Sequence, residues 1–142
     1  MITTKNLLVF LSLILWLSPT YAFKCKPRPA VEAWDNSLNI FLAQVTEVEI
    51  IREGNKEKND AGERHGYFKV LEQFKGNAKS IPYLRSANNP ICCIGHIKLN
   101  KGDQFYIFTS ENDKPVHVNA CAYAKYRKDH DQLLKLKNAQ KI

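Results

Sequence analysis

The stretch 40–51, IFLAQVTEVEII, is the part of the sequence that decides the fold. Phe41, Ala43 and Val45 alternate with other residues and so define one apolar face, because successive side chains of a strand point to opposite sides. From Val48 onward, the apolar residues stand at the opposite parity. A strand that changes its apolar face contains a bulge or coils strongly, as when one strand serves two parts of a barrel. The sequence therefore predicts a long, bent first strand.

Four further strands are predicted after it, at 67–74, 80–85, 104–109 and 116–120. The third strand contains Pro82, which predicts an edge position because proline cannot donate a hydrogen bond to a neighbouring strand. The fourth strand is apolar on both faces, which is typical of a central strand covered on both sides. The sequence thus predicts a mainly β domain of five strands.

Two helices flank the predicted strands. Residues 30–38 place Val31, Trp34 and Leu38 on one face at helical spacing, which predicts a short N-terminal helix. An amphipathic helix is predicted at 122–139, where an apolar stripe alternates with a basic side. The basic side of that helix consists of Lys125, Arg127, Lys128 and Lys135.

The first 22 residues have the pattern of a cleaved signal peptide. Lys5 precedes the apolar run Leu7–Leu17, and Thr20 and Ala22 supply the small residues before a cut after Ala22. The run is shorter than the roughly 20 residues that span a bilayer. We therefore expect one secreted or periplasmic domain, residues 23–142, without a transmembrane segment.

The predicted mature chain is basic. Removal of the leader takes away Lys5 and lowers the formal net charge from +7 to +6. A charge of this sign favours acidic partners such as anionic lipid surfaces, polysaccharides and nucleic acid. Export disfavours nucleic acid, so none is expected. The alternative to a protein partner is an anionic polymer or membrane surface bound by the basic C-terminal helix.

All four cysteines follow the predicted cut. An even number in a small exported domain predicts two disulfides, with three possible connectivities. Cys92 and Cys93 are adjacent and not spaced as C-x-x-C, so the pattern does not suit a metal site. The sequence also lacks a serine nucleophile elbow, a glycine phosphate loop and an H-E-x-x-H motif. We expect a non-enzymatic protein with no metal and no cofactor.

The histidines are expected to be surface or loop residues. His65 follows a charged stretch, residues 52–64, that predicts a mobile loop. His117 is expected to point outward from the fifth strand, and His130 lies on the C-terminal helix. His96 follows Cys93 by three residues, a spacing that leaves open a cysteine–histidine site. Tyr67, Tyr83, Tyr106 and Lys69 would together form a surface for base stacking, an alternative that export disfavours.

The order and spacing of several segments resemble the netrin-like domains related to tissue inhibitors of metalloproteinases, including their bacterial relatives. The matching pieces are CKPRP at 25–29, NIFLAQVTEV at 39–48, FKVLEQFKG at 68–76, Cys93, KGDQFYIF at 101–108 and Cys121. This resemblance implies a five-stranded OB-type Greek-key barrel. It also implies a domain that binds a protein partner, with metalloproteinase inhibition as the specific hypothesis.

The resemblance places the partner contact in the N-terminal segment, at Phe23, Lys24, Cys25 and Lys26. In the inhibitors of that family, the α-amino and carbonyl groups of an N-terminal cysteine chelate the protease zinc. Family members commonly have Cys-x-Cys where this chain has Phe23-Lys24-Cys25, so phenylalanine stands at the chelating position.

The same resemblance implies a Cys25–Cys121 disulfide. Cys92 and Cys93 then either form a vicinal disulfide, which is strained, or one of them pairs with Cys25 or Cys121 in a rearranged framework. The residues leave both arrangements open.

Overall fold

A computed structural model describes residues 29–90, 96–118 and 127–141. Its helices are α1 (Ala30–Asp35) and α2 (Arg127–Ala139), and its strands are β1 (Asn39–Arg52), β2 (Glu63–Lys75), β3 (Leu84–Ser86), β4 (Gln104–Thr109) and β5 (Val116–His117). The strands form one mixed sheet in the order β4-β1-β2-β3-β5. Neighbouring strands are antiparallel except for β3 and β5, which are parallel. The predicted mainly β domain with five strands is confirmed.

The bend predicted in β1 is present. Phe41, Ala43 and Val45 are buried, and Val48 packs partly buried against the same apolar cluster. The register with β2 shifts between Val45 and Glu47. The shift adds one residue to β1, so the core side is occupied by odd-numbered residues before it and by even-numbered residues after it. The apolar pattern of β1 therefore follows from this irregularity.

Beyond the bend, β1 and β2 continue as a long hairpin past the edge of the core. Ile50 was expected to share the apolar face of Val48 but is half exposed, and it is not among the described residues of the main apolar cluster. The predicted loop 52–64 is shorter than expected, since both of its ends belong to strands. Its middle forms a 3-10 helix, Lys56–Lys58, and the side chain of Asn55 accepts hydrogen bonds from the backbone N–H groups of Glu57 and Lys58.

Three expectations about the other strands are wrong. β2 begins at Glu63, four residues before Tyr67, because its early residues pair with both β1 and β3. Pro82 precedes β3, which lies between β2 and β5 and not at an edge. β4 has the predicted bounds but comes first in the order of the described strands.

Both faces of the sheet carry an apolar layer, which explains the composition of β4. Phe105 and Ile107 of β4 belong to the main core, and Tyr106 between them belongs to a second cluster beneath the helices. The main core consists of Phe41, Ala43, Val45, Ala78, Ile81, Leu84, Leu99, Phe105, Ile107 and Val118. The second cluster consists of Ala30, Trp34, Ile40, Phe74, Tyr106 and Leu133. A strand apolar on both sides thus reflects two covering layers and not a central position.

The two helices hold the second layer in place. α1 buries Ala30 and Trp34, whereas Val31 and Leu38 are exposed. The face predicted for α1 is therefore only partly correct, because the helix ends at Asp35, before Leu38. α2 buries Leu133 fully, as its apolar stripe predicts. Within the described residues, no helix has the length and apolar character to cross a membrane.

Candidate functional site

Four polar side chains stand directly opposite one another across four strands. Glu49 of β1 pairs with His65 of β2, His65 with Arg85 of β3, and Arg85 with His117 of β5. We call these four residues the charged row. Side chains directly opposite on neighbouring strands lie close enough to interact. The buried Leu84 precedes Arg85 on β3, so the row lies on the face of the sheet away from the main core.

Glu63 organises the centre of the row from the start of β2. Its carboxylate accepts two hydrogen bonds from Arg85, from Nε at 3.1 Å and from Nη2 at 3.0 Å. Nε2 of His65 lies 2.7 Å from the same carboxylate. The hydrogen bond with His65 and then those with Arg85 lower the pKa of Glu63, because they stabilise its charged form. Glu63 is therefore a compensated anion.

Aromatic rings extend this surface towards the middle of the hairpin. The ring of His65 stacks on Tyr83 with centroids 4.0 Å apart, and Tyr67 meets Tyr83 edge-on at 6.3 Å. The hydroxyl of Tyr67 donates to Oε2 of Glu49 at 3.0 Å, and the pKa of Tyr67 is raised by this bond to an anion. The result is a preorganised face of rings and charges that solvent reaches.

A pocket of about 70 Å³ opens at the β5 end of the row, and we call it the His96 pocket. Its polar lining is formed by Glu63, Arg85, Ser86, His96 and His117. The Nδ1 atom of His96 is buried and has no hydrogen-bond partner in the described part of the chain. The pKa of His117 is lowered by burial first and then by the positive charges of Arg85 and His96, against an opposing effect of Glu63.

The hydroxyl of Ser86, which lines the pocket, is bonded to the backbone. The Ser86 hydroxyl accepts a hydrogen bond from the backbone N–H of Leu99 at 3.1 Å and donates to the carbonyl of Ala87 at 3.4 Å. A serine nucleophile needs its hydroxyl directed at a histidine base, whereas this one is directed at the backbone. The described residues also contain no cluster of three or more histidine, cysteine, aspartate or glutamate residues that could hold a metal ion.

The lowered pKa of His117 makes a prediction about stability. Because the folded chain holds His117 neutral below its ordinary pKa of 6.5, the unfolded chain binds more protons there as the pH falls. The free energy of unfolding should therefore fall as the pH drops below about 6.5. Replacing His117 with asparagine should flatten this dependence, measured by urea unfolding between about pH 8.5 and pH 5.

The lower limit of that titration avoids the range in which Glu63 begins to bind protons, since the ordinary pKa of Glu63 is 4.5 and its folded value is lower. Wild type and His117→Asn should show equal slopes above about pH 7.5, where a histidine is neutral in both states. Equal slopes in the acidic window as well would contradict the assignment.

Most of the site residues expected from the sequence lie outside the described residues. These are Phe23, Lys24, Cys25, Lys26, Cys92, Cys93, Cys121 and Lys125. The expected disulfides and the cysteine–histidine site with His96 therefore stay predictions. Arg127 and Lys128 belong to the first turn of α2, and Lys135 is exposed on that helix.

The tyrosine face is assembled only in part. Tyr67 and Tyr83 lie on one surface and contact each other, but Tyr106 lies in the second cluster on the other side of the sheet, with its hydroxyl 2.9 Å from Nδ1 of His130. His130 is thus packed between helix and sheet rather than at the surface. His117 is exposed on β5, as predicted.

Sequence reasoning missed the charged row. One signal was available, because Glu63, His65, Tyr67 and Lys69 form an unbroken polar or amphipathic alternation. Beginning the second strand at Tyr67 cut this alternation in half. The contributions of Arg85 and His117 carried no local signal, since each comes from a separate short strand.

Comparison of the sequence with protein-family models and with curated proteins finds no match to either.

Proposed function

We propose that this chain is a non-enzymatic binding domain of the OB type that engages a protein partner. The observation that carries the proposal is a set of large apolar side chains exposed on the β1–β2 hairpin, beside the charged row. They are Ile50, Ile51, Tyr67, Val70 and Leu71, each between 38% and 50% exposed. Large apolar and aromatic side chains that are exposed near charged groups are typical of protein-binding surfaces.

The strand order supports an OB-type barrel. β4 and β5 stand at the two ends of the order and follow each other in the chain, joined by residues 110–115. The observed pairings make these two strands run in opposite directions. Consecutive strands with a short connection usually pair as neighbours. Pairing of β4 with β5 would close the five strands into a barrel whose β2–β3 face is a common binding surface of OB folds.

Metalloproteinase inhibition is the specific form of the proposal, and it rests on the resemblance of the sequence to inhibitor domains. The N-terminal segment with Phe23, Lys24, Cys25 and Lys26 would make the contact together with the hairpin. Because phenylalanine occupies the chelating position, the proposed contact depends on surface complementarity as well as on any approach to the zinc.

The test is the residual activity of a panel of metalloproteinases mixed with the mature protein. We expect loss of activity of at least one protease at micromolar inhibitor, a concentration at which a specific complex of about 8 kcal/mol is half formed. Ile51→Lys and Leu71→Lys should weaken that inhibition. Leu38→Lys is the matched control, since it changes an equally exposed apolar residue away from the hairpin. No inhibition of any protease in the panel would refute this form of the proposal.

A second candidate function is binding of an anionic polymer or membrane surface by α2. The observation in its favour is that Leu133 is buried whereas Lys135 is exposed, so the helix presents a basic residue to solvent. Lys137, in contrast, forms an ion pair with Glu72 of β2. Each basic residue near an anionic surface contributes about 1 kcal/mol, so Lys135→Ala should elute from heparin at lower salt. Absence of heparin and anionic-vesicle binding at low salt would exclude this function.

A further inference from the structure

The His96 pocket contains more hydrogen-bonding capacity than the chain uses. Its volume of about 70 Å³ exceeds the roughly 10–15 Å³ that one water requires, so a group of several heavy atoms fits. Nδ1 of His96 is buried and has no hydrogen-bond partner in the described part of the chain. An unsatisfied buried polar atom is costly, and a ligand that bonds to it removes that cost.

Arg85 offers a second group of donors to the same pocket. Its Nε and Nη2 atoms bind Glu63, and no contact within the described residues occupies Nη1. A guanidinium carries five N–H donors and no acceptor, so donors remain on Arg85 after Glu63 is bound. His117 adds a second imidazole to the lining. The unused groups are therefore mainly donors when the histidines carry protons.

The single anion in the lining does not oppose a negatively charged ligand. Both oxygens of Glu63 already accept hydrogen bonds from Arg85, and Nε2 of His65 lies beside Oε1. A carboxylate paired in this way is largely neutralised for a neighbouring group. A cationic ligand, in contrast, would meet Arg85 at the pocket.

From these contacts we propose that the His96 pocket binds a small oxyanion, held by His96, His117 and Arg85. Phosphate, sulfate and carboxylate share the required chemistry, since each presents several acceptor oxygens to convergent donors. This binding site is separate from the hairpin residues of the proposed function. Failure of either proposal leaves the other open to its own test.

Oxyanion binding in this pocket should strengthen on acidification. The groups that face His117 are Arg85 of β3, His96, and Glu63 of β2, with His65 beyond Arg85 in the charged row. At neutral pH the lowered pKa of His117 leaves its imidazole uncharged. Protonation below that pKa adds a charged donor, and an anion bound beside it favours the protonated form by linkage.

The experiment is a titration of the mature chain with inorganic phosphate, followed by the NMR signals of the histidine side chains. Ionic strength is held constant with sodium chloride. We expect saturable shifts of the His96 and His117 signals, with a dissociation constant about tenfold lower near pH 5.5 than near pH 7.5. Sulfate and acetate titrations then distinguish a tetrahedral from a planar oxyanion.

Three variants make the result decisive. His96→Asn and His117→Asn should each weaken phosphate binding at least tenfold near pH 5.5, and thermal unfolding of each variant checks that it is folded. Lys101→Ala removes an exposed positive charge that does not line the pocket, and this variant should bind phosphate as wild type does. Absence of saturable shifts, equal binding by His96→Asn and wild type, or saturation by zinc in place of phosphate would overturn the proposal.

Discussion

Replacing Gly76 with alanine is expected to lower the free energy of unfolding by about 4 kcal/mol, combining overpacking, a left-handed backbone and lost buried hydrogen bonds. Gly76 directly follows β2 and has a φ of +70°. An added Cβ would overlap the carbonyl oxygen of Leu38 and the Oδ1 atom of Asn39. Because both obstacles belong to the backbone or to a buried side chain, neither can move aside freely.

Asn39 makes the clash at Gly76 expensive. Its side chain is buried and joins two loops, accepting a hydrogen bond from the backbone N–H of Asn77 at 2.6 Å and donating to Oδ1 of Asn112 at 2.7 Å. Displacing the Asn39 side chain would break both bonds and leave its own buried amide without these partners, and each buried hydrogen bond lost costs about 1–3 kcal/mol.

Gly102→Ala is the matched control for Gly76→Ala. Gly102 also has a positive φ, of +91°, but an added Cβ there would meet nothing within 4 Å. Only the backbone penalty of about 1–2 kcal/mol should remain. Chemical unfolding of both variants measures the difference, and equal losses of stability would contradict the role given to Leu38 and Asn39.

Replacing Arg64 with alanine is expected to destabilise the protein by about 3 kcal/mol, because buried acceptors lose their hydrogen-bond donor. Arg64 is only 7% exposed. It donates to Oδ1 of Asn88 through Nε at 3.0 Å and to the carbonyl of Leu99 through Nη1 at 2.7 Å. Asn88 in turn donates to the side chain of Glu53 at 2.9 Å. The network thus ties the β1–β2 hairpin to both Asn88 and Leu99.

Arg52→Ala is the control for Arg64→Ala, since Arg52 lies on the same hairpin but its side chain is 56% exposed and its partner is Asp60. Exposed ion pairs contribute less than about 1 kcal/mol. Arg64→Met tests the volume separately, because methionine refills much of the space and restores none of the hydrogen bonds. If urea unfolding shows that Arg64→Ala and Arg52→Ala lower the free energy of unfolding by the same amount, the buried network has no structural role.

Predictions from the sequence succeeded where the signal was local. The bounds of β4 and the bulge of β1 were both predicted, because alternation in a strand is a property of its own backbone. The position of β4 in the strand order was not predicted correctly. Its two apolar faces pack against different layers, with Phe105 in the main core and Tyr106 in the second cluster beneath the helices. The edge position expected for β3 is wrong because Pro82 lacks only its own N–H donor, and β3 begins two residues later, at Leu84.

The candidate site was harder to predict than the fold. His65 lies 20 residues from Arg85, and Arg85 lies 32 residues from His117 in the numbering of the chain, so no spacing along the sequence relates them. Nδ1 of His96, which lacks a hydrogen-bond partner within the described residues, has no counterpart in any sequence pattern.

The sequence by itself determined the long, bent first strand, the number of strands and the basic character of the chain. Tertiary structure alone decided that Glu49, His65, Arg85 and His117 form one row and that the His96 pocket adjoins it. The physical reason is that alternation is set by local backbone geometry, whereas the choice of neighbouring strands depends on hydrogen bonds and burial between distant segments.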